Sequence, residues 1–399
     1  MRDEVSPAQF FADNSEAHVA VRRDLHRHPE TAFEEERTAG VVAQQLESFG
    51  LEVHRGLART GVVGVLTAGQ SDRAIGLRAD MDALPIQERN SFDHCSAVDG
   101  KMHACGHDGH TAMLLAAAQY LSEHTGFDGT IYFIFQPAEE NEGGGRVMVE
   151  EGLFEKFPMS GVYGMHNIPG IPLGGFAVRA GAMMAGYDRF DITISGVGGH
   201  AAMPDQTVDP VLIAAQLVTA LQSVVSRNID PMQSAVLSVT RIESGDTYNV
   251  IPETATLAGT VRYFDLADQQ LIETRIHTLC TDIAKAFGGT AEVNYRYGYP
   301  PTINSNEETD LCLSVLRDTF GDAAVDANPT PLMAGEDFAF MLQERPGCYI
   351  WAGNGAEGPH ACMVHNPAYD FNDDLIPLGA RYWVSLARAA LPNKAAPPS

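Results

Sequence analysis

The chain has 399 residues, longer than any single small module, and at roughly 150 residues per domain it has room for two or three. Hydrophobic residues make up 45% and charged residues 20%, which supports real cores and excludes a disordered chain. With 26 Lys+Arg against 52 Asp+Glu, the formal charge of -26 repels phosphate backbones and anionic headgroups, so neither nucleic acid nor a membrane is an expected partner.

Six cysteines spread over this length lack the density of a disulfide framework and read as reduced thiols. The opening Met1-Arg2-Asp3-Glu4 is polar where a signal peptide needs an apolar core, and no run approaches 18 uninterrupted apolar residues. A cytoplasmic location is the expectation.

From Ala17 to Glu47 apolar residues recur at helical spacing, broken at His28-Pro29, which predicts two amphipathic helices. Short apolar runs at Val62–Leu66, Ala74–Leu77, Thr130–Phe135 and Val162–Met165 predict strands, with a helix over Thr111–Ser122. Such alternation predicts an α/β layer with a largely parallel sheet. The pattern changes near Tyr187. Phe190–Ile194 reads as a strand, Pro210–Arg227 as a helix, Ala235–Thr240 and Thr254–Tyr263 as strands, Ala267–Phe287 as a helix and Thr290–Tyr297 as a strand. That βαββαβ order describes a sandwich of its own. A helix over Glu307–Phe320, a strand at Gly347–Trp351 and a helix over Leu375–Ala390 then return to the first sheet. The expected organisation is a first layer over residues 1–185, an insertion over 186–297 and completion of the first layer over 298–399. The tail Ala395–Ser399 reads as a loose end.

The densest chemistry lies in His103-Ala104-Cys105-Gly106-His107-Asp108-Gly109-His110. Thiolate and imidazole are favoured ligands of zinc-like metals, and the intervening glycine lets Cys105 and His107 turn toward one point. Asp108 is placed to cap the following helix. The strand Thr130–Phe135 runs into Glu139-Glu140, at the strand end where open α/β sheets build their sites. Neighbouring extended residues face opposite ways, so one carboxylate can hold a metal while the other serves as general base toward water. His166 after Val162–Met165, and His365 in His365-Asn366-Pro367, complete five candidate ligands. That is more than one open tetrahedral site uses, so two adjacent ions fit best, and a thiolate can bridge them. Asp80 reads equally as a residue orienting a ligand imidazole and as a strand-end turn residue. Gly335-Glu336-Asp337 reads equally as a source of backbone donors near the substrate and as a helix cap.

Six strings in order resemble those of the aminoacylase and carboxypeptidase metallohydrolases, in particular the branch of hippurate hydrolases and auxin-conjugate amidohydrolases. They are Arg78 to Pro85, His103 to His110, Gln136 to Glu140, Met165-His166-Asn167, Gly198 to Ala202 and His365-Asn366-Pro367. The resemblance implies a zinc-peptidase-like catalytic domain with an inserted α+β dimerisation or lid domain. It further implies a homodimer or tetramer formed through that insertion, and two divalent ions per subunit (Zn, Mn, Co or Ni). It implies that Cys105 bridges the ions, that His107, Glu140, His166 and His365 complete the ligands, and that Glu139 is the general base. His200, Asn249 and Arg262, in the insertion, correspond to positions that reach an active site across the dimer. There they hold the scissile carbonyl, with its oxyanion, or the substrate carboxylate. The implied activity is hydrolysis of N-acyl amino acids. A dipeptidase, carboxypeptidase or N-acetyl-amino-acid deacetylase is the alternative on the same scaffold, and a non-catalytic metal-binding scaffold protein is the alternative of another class. The sequence departs from the wider family at Arg78, where that family carries a ligand histidine.

Overall fold

The computed structural model describes residues 5–140 and 142–393, so the tail Ala395–Ser399 lies outside the described residues. The chain divides into two compact units. One comprises the chain through Met183, Ile303–Thr330 and the chain from Asp337; the other comprises Met184–Thr302 and Pro331–Glu336.

The first unit begins with three helices, α1 (Pro7–Asp13), α2 (Ser15–Arg27) and α3 (Glu36–Ser48). Ser6 caps α1 by accepting from the Gln9 N–H, with Pro7 at the first helical position where its missing donor costs nothing. In α3, Ala39, Val42, Ala43 and Leu46 form the buried stripe. Strands β1 (Glu52–Leu57) and β2 (Gly61–Ala68) form an antiparallel pair, followed by β3 (Ala74–Asp80). Helix α4 (His107–Glu123) is buried almost all round, and strands β4 (Gly129–Gln136), β5 (Gly161–Pro169) and β6 (Phe176–Ala177) follow. With Val325–Asp326 and Gly347–Gly355 these strands build one eight-stranded sheet. Its centre is parallel: β4, β3, β5 and Gly347–Gly355 lie side by side in that order. Helices α4 and Leu375–Ala390 contribute apolar faces to its core.

In the second unit four antiparallel strands lie in the order Val236–Ser244, Thr254–Tyr263, Gly186–Ser195 and Thr290–Tyr297. Thr254–Tyr263 alternates between buried and less buried positions, as a sheet covered on one face requires. Helices Pro210–Asn228 and Leu266–Ala286 supply the cover, each capped by an aspartate, Asp209 and Asp265. Pro210–Asn228 is long and apolar enough to cross a membrane by composition, yet Ile213, Ala214, Leu217, Leu221 and Val224 lie in this unit's core.

Candidate metal centre

The candidate site lies at the carboxyl ends of the parallel strands of the first unit. Gly106 initiates α4 with φ of +95°, a conformation that L side chains rarely adopt. The residues on either side of it, Cys105 and His107, then converge. Cys105 Sγ lies 3.3 Å from His166 Nε2, and the ligand atoms of Cys105, His107 and His166 lie within 4.8 Å of one another. The same spacing holds for Cys105, Glu140 and His365, and again for His107, Glu139 and Glu140. Cys105 thus belongs to two of these groups.

Tautomers are set by the atoms behind the rings. His166 Nδ1 donates to the Asn167 carbonyl at 2.6 Å, leaving Nε2 with a lone pair toward the thiol. His107 Nδ1 donates to the Asp82 carbonyl at 2.9 Å, with Asp82 Oδ1 at 3.1 Å, and its buried Nε2 has no hydrogen-bond partner. A buried ring nitrogen without a partner is costly, so its placement calls for a ligand. His365 Nε2 meets Glu140 Oε1 at 3.1 Å. Asp82 Oδ2 accepts from the Glu140 N–H at 2.9 Å, tying the carboxylate loop to the imidazole.

Two strained residues flank the cluster. Ala138, just before Glu139, has φ of +55°, and His365 itself has φ of +63°. Glu35 holds the first by accepting from the Ala138 N–H at 2.9 Å; the His365 N–H donates to the Ala104 carbonyl at 2.7 Å.

The electrostatics are those of a pocket rich in negative charge. Burial, reinforced by Glu140, Glu139 and Asp80, pushes the Cys105 thiol well above its ordinary value. Burial lowers His107, but Asp80, Asp82 and Glu140 outweigh it and push the imidazole up to about 10. Burial and the neighbouring His110 keep His166 neutral, well below the ordinary histidine value. Burial raises Glu140, yet His365 and His107 leave it lowered. Carboxylates gathered around a thiol and imidazoles are the setting a divalent cation neutralises.

Asp80 is fully buried. Its Oδ1 meets His110 Nδ1 at 2.6 Å and its Oδ2 accepts from Arg78 Nη1 at 2.7 Å, and it stands 3.8 Å from His107 Nε2. Asp108 does not cap α4, contrary to expectation. Its carboxylate lies 2.8 Å from Nε of buried Arg22 and 2.8 Å from His26 Nδ1, because a guanidinium in the core demands a counter-ion.

In the second unit, His200 pairs with Val250 in a short ladder, and the Ala201 N–H donates to the Asn249 carbonyl, bringing His200 and Asn249 together. His200 is exposed, and its Nδ1 accepts from the Ala202 N–H at 3.0 Å, which puts the proton on Nε2. Arg262 lies elsewhere on this unit. Its Nε donates to the Met333 carbonyl, Nη1 donates to Thr260 Oγ1 and the Val261 carbonyl, and its guanidinium stands over the Tyr187 ring. Gly335 packs on the same ring, where a Cβ would come within 2.7 Å.

Sequence reasoning gave no role of their own to Asp82, His110 and Asn167 and read Asp337 only as a backbone donor or helix cap; all four are buried and hydrogen-bonded around the cluster. Asp82 carried a signal: it follows Asp80 at the interval of two that returns an extended chain to the same side.

A largely parallel sheet that gathers a thiol, imidazoles and carboxylates at its strand ends defines the class of metal-dependent hydrolases. The chain belongs to the peptidase family M20/M25/M40, whose model matches residues 76–389. It is 43% identical over 367 residues to a hippurate hydrolase of Campylobacter jejuni, covering 92% of this chain and 94% of that one. It is 40% identical over 383 residues to an IAA-amino acid hydrolase of Arabidopsis thaliana, covering 94% and 86%. Among solved structures, a dinuclear metal binding peptidase of the M20 family from Bacillus subtilis superposes with a TM-score of 0.82 at 33% identity, over 95% of this chain and 99% of that one.

Proposed function

We propose that the protein is a metal-dependent amidohydrolase that cleaves the amide bond of N-acyl amino acids, hippurate-like conjugates among them, to a carboxylic acid and a free amino acid. One observation carries the reading: buried Cys105 Sγ, His107 Nε2 and His166 Nε2 converge with their other ring nitrogens already committed, and Glu139 and Glu140 stand beside them. This supports two divalent transition-metal ions per chain, Zn, Mn, Co or Ni, held by Cys105, His107, Glu140, His166 and His365. Membership of Cys105 in two ligand groups favours it as the bridge.

When bound, the ions supply Lewis acidity toward the scissile carbonyl and toward water. Glu139 accepts a proton from the attacking water and returns it to the nitrogen as the C–N bond breaks. Asp82 fixes the His107 tautomer, and Asp80 orients His110. The Nε2–H of His200 is a donor suited to an oxyanion, Asn249 and Arg262 are suited to the substrate carboxylate, and Gly335 offers main-chain donors near it. His200, Asn249 and Arg262 act across a homodimer joined through the inserted unit, in the cytoplasm. A dipeptidase or deacetylase differs from this reading only in the substrate.

The test is a pair of variants. Glu139→Gln is expected to keep two ions per chain and lose on the order of 10²–10⁴-fold in turnover of N-benzoylglycine, the range of a lost general base. Glu140→Gln is expected to lose metal. Equal behaviour of the two, or exchanged roles, overturns the assignment.

A further inference from the structure

Resting on the reading of Glu139 as general base, we infer that Asp337 is a positioning residue for it: a pinned buried carboxylate that aims its own main-chain N–H at the catalytic carboxylate. That N–H donates to Glu139 Oε1 at 3.4 Å. The Asp337 side chain is fully buried, and although it precedes the helix Phe338–Glu344 it makes no capping bond to it. Its oxygens lie in the same buried cluster as the Glu139 and Glu336 carboxylates and accept from Arg78, Gln136 and Gly145. Arg78 Nη2 reaches Oδ1 at 3.0 Å, Gln136 Nε2 reaches both oxygens at 2.8 Å, and the Gly145 N–H reaches Oδ2 at 2.7 Å.

These donors come from the structure around the carboxylate loop. Gln136 is the last residue of β4, three positions before Glu139, and Gly145 is the second residue of the helix Gly144–Glu150 that follows that loop. Arg78, on β3, also donates through Nε to Gln136 Oε1 at 2.8 Å and through Nη1 to Asp80 Oδ2 at 2.7 Å. One guanidinium thereby fixes the ends of two strands and the Asp337 carboxylate in a single frame. A planar fork of donors does this where a lysine would not. Glu139 sits after the strained Ala138, in a loop whose direction must be held from outside. A carboxylate free to rotate would lose the orientation that proton transfer needs, and misplacement by about 1 Å can reduce rate on the order of 10²-fold.

The experiment is a double-mutant cycle on the metal-loaded full-length protein with N-benzoylglycine as substrate. Asp337→Asn keeps volume and removes the charge that Arg78 and Gly145 hold. It is expected to lower kcat about 10–100-fold with KM within about threefold and two ions per chain retained. In the Glu139→Gln background the same change is expected to cost less than about threefold, since a residue acting through Glu139 has nothing left to position. Gln136→Met removes the donor shared by both oxygens and is expected to follow the same pattern with a smaller loss, which decides the matter should Asp337→Asn not fold. A loss that persists undiminished beside Glu139→Gln, a fall in metal content that tracks activity, or an unchanged kcat overturns the inference alone. Wild-type turnover by Glu139→Gln itself overturns the general-base reading and the inference with it.

Discussion

Gly106→Ala tests whether the cluster depends on one backbone geometry. A Cβ at this position would lie 2.3 Å from Asn167 Oδ1 and 2.6 Å from Tyr369 Oη, where ordinary contact needs more than 3.4 Å. Neither oxygen is free to move. Asn167 Nδ2 donates to Tyr369 Oη at 2.6 Å, Asn167 Oδ1 lies 2.7 Å from His110 Nε2, and all three residues are buried. Holding an L residue at φ of +95° costs about 1–2 kcal/mol, and breaking one buried hydrogen bond to make room costs about 1–3 kcal/mol more. The sum is about 2–5 kcal/mol. Thermal unfolding should fall by about 3–9 °C, and metal content should fall with it because Cys105 and His107 flank the shifted residue. Tyr369→Phe supplies the control. Alone it should destabilise by about 1 kcal/mol, but beside Gly106→Ala it removes one of the two overlaps and should cost less or stabilise. Unfolding of Gly106→Ala within about 0.5 kcal/mol of wild type, or strict additivity of the two changes, refutes the argument.

Glu35 is buried and near Asp82, which together push it from 4.5 up to about 7 against the bonds it accepts from Thr60 and Ala138. The folded state therefore holds this proton more tightly than the unfolded chain, so stability is lost as pH rises from about 4.5 to about 7. Glu35→Gln, whose amide can accept from the Ala138 N–H and donate to Thr60, should lose less stability than wild type between pH 5 and pH 8 in chemical denaturation; parallel curves contradict this. For the shared site, mixing inactive Glu139→Gln and His200→Ala dimers under exchange should restore activity toward half per heterodimer, since one of its two sites carries neither defect. No recovery with proven heterodimers rejects sharing.

The parallel strands were legible because strands buried on both faces read as short apolar runs, and β3 is buried throughout. β1 was not, since Glu52-Val53-His54-Arg55 lies at the sheet edge, where one face sees solvent and apolar pattern is weak. Cys105 and His107 were legible as candidate ligands because thiol and imidazole at close spacing have few other uses, and Glu139-Glu140 as a pair with no choice made between them. The roles of Asp82, Asn167 and Asp337 were not. Each is hydrogen-bonded to a residue distant in sequence, and a single aspartate or asparagine looks the same whether it faces solvent or a buried partner. Arg78 is the instructive case. Its identity marked a departure from the wider family, but its partners Gln136 and Asp337 lie 58 and 259 residues away. Only the fold could bring them together.

The protons that the ligand side chains carry bear directly on metal uptake. Burial and three carboxylates hold the Cys105 thiol protonated, and His107, at about 10, carries its second proton at neutral pH. Both protons are held by the surrounding carboxylates, Asp80, Glu139 and Glu140 for the thiol and Asp80, Asp82 and Glu140 for the imidazole. As ligands both must surrender that proton, the thiol as thiolate and the imidazole as its neutral form. His166 is already neutral and Glu140 already ionised, so neither contributes. Loading the ion-free protein near pH 7.5 should therefore release about two protons per chain, and apparent affinity should fall steeply as pH is lowered. Calorimetric titration of metal in buffers of different ionisation enthalpy counts those protons. Cys105→Ser, whose hydroxyl stays protonated far more readily, should reduce the count by about one while His107 still contributes. Release of no protons by the wild-type chain would mean that neither the thiol nor His107 enters the coordination shell, and the ligand assignment would fall.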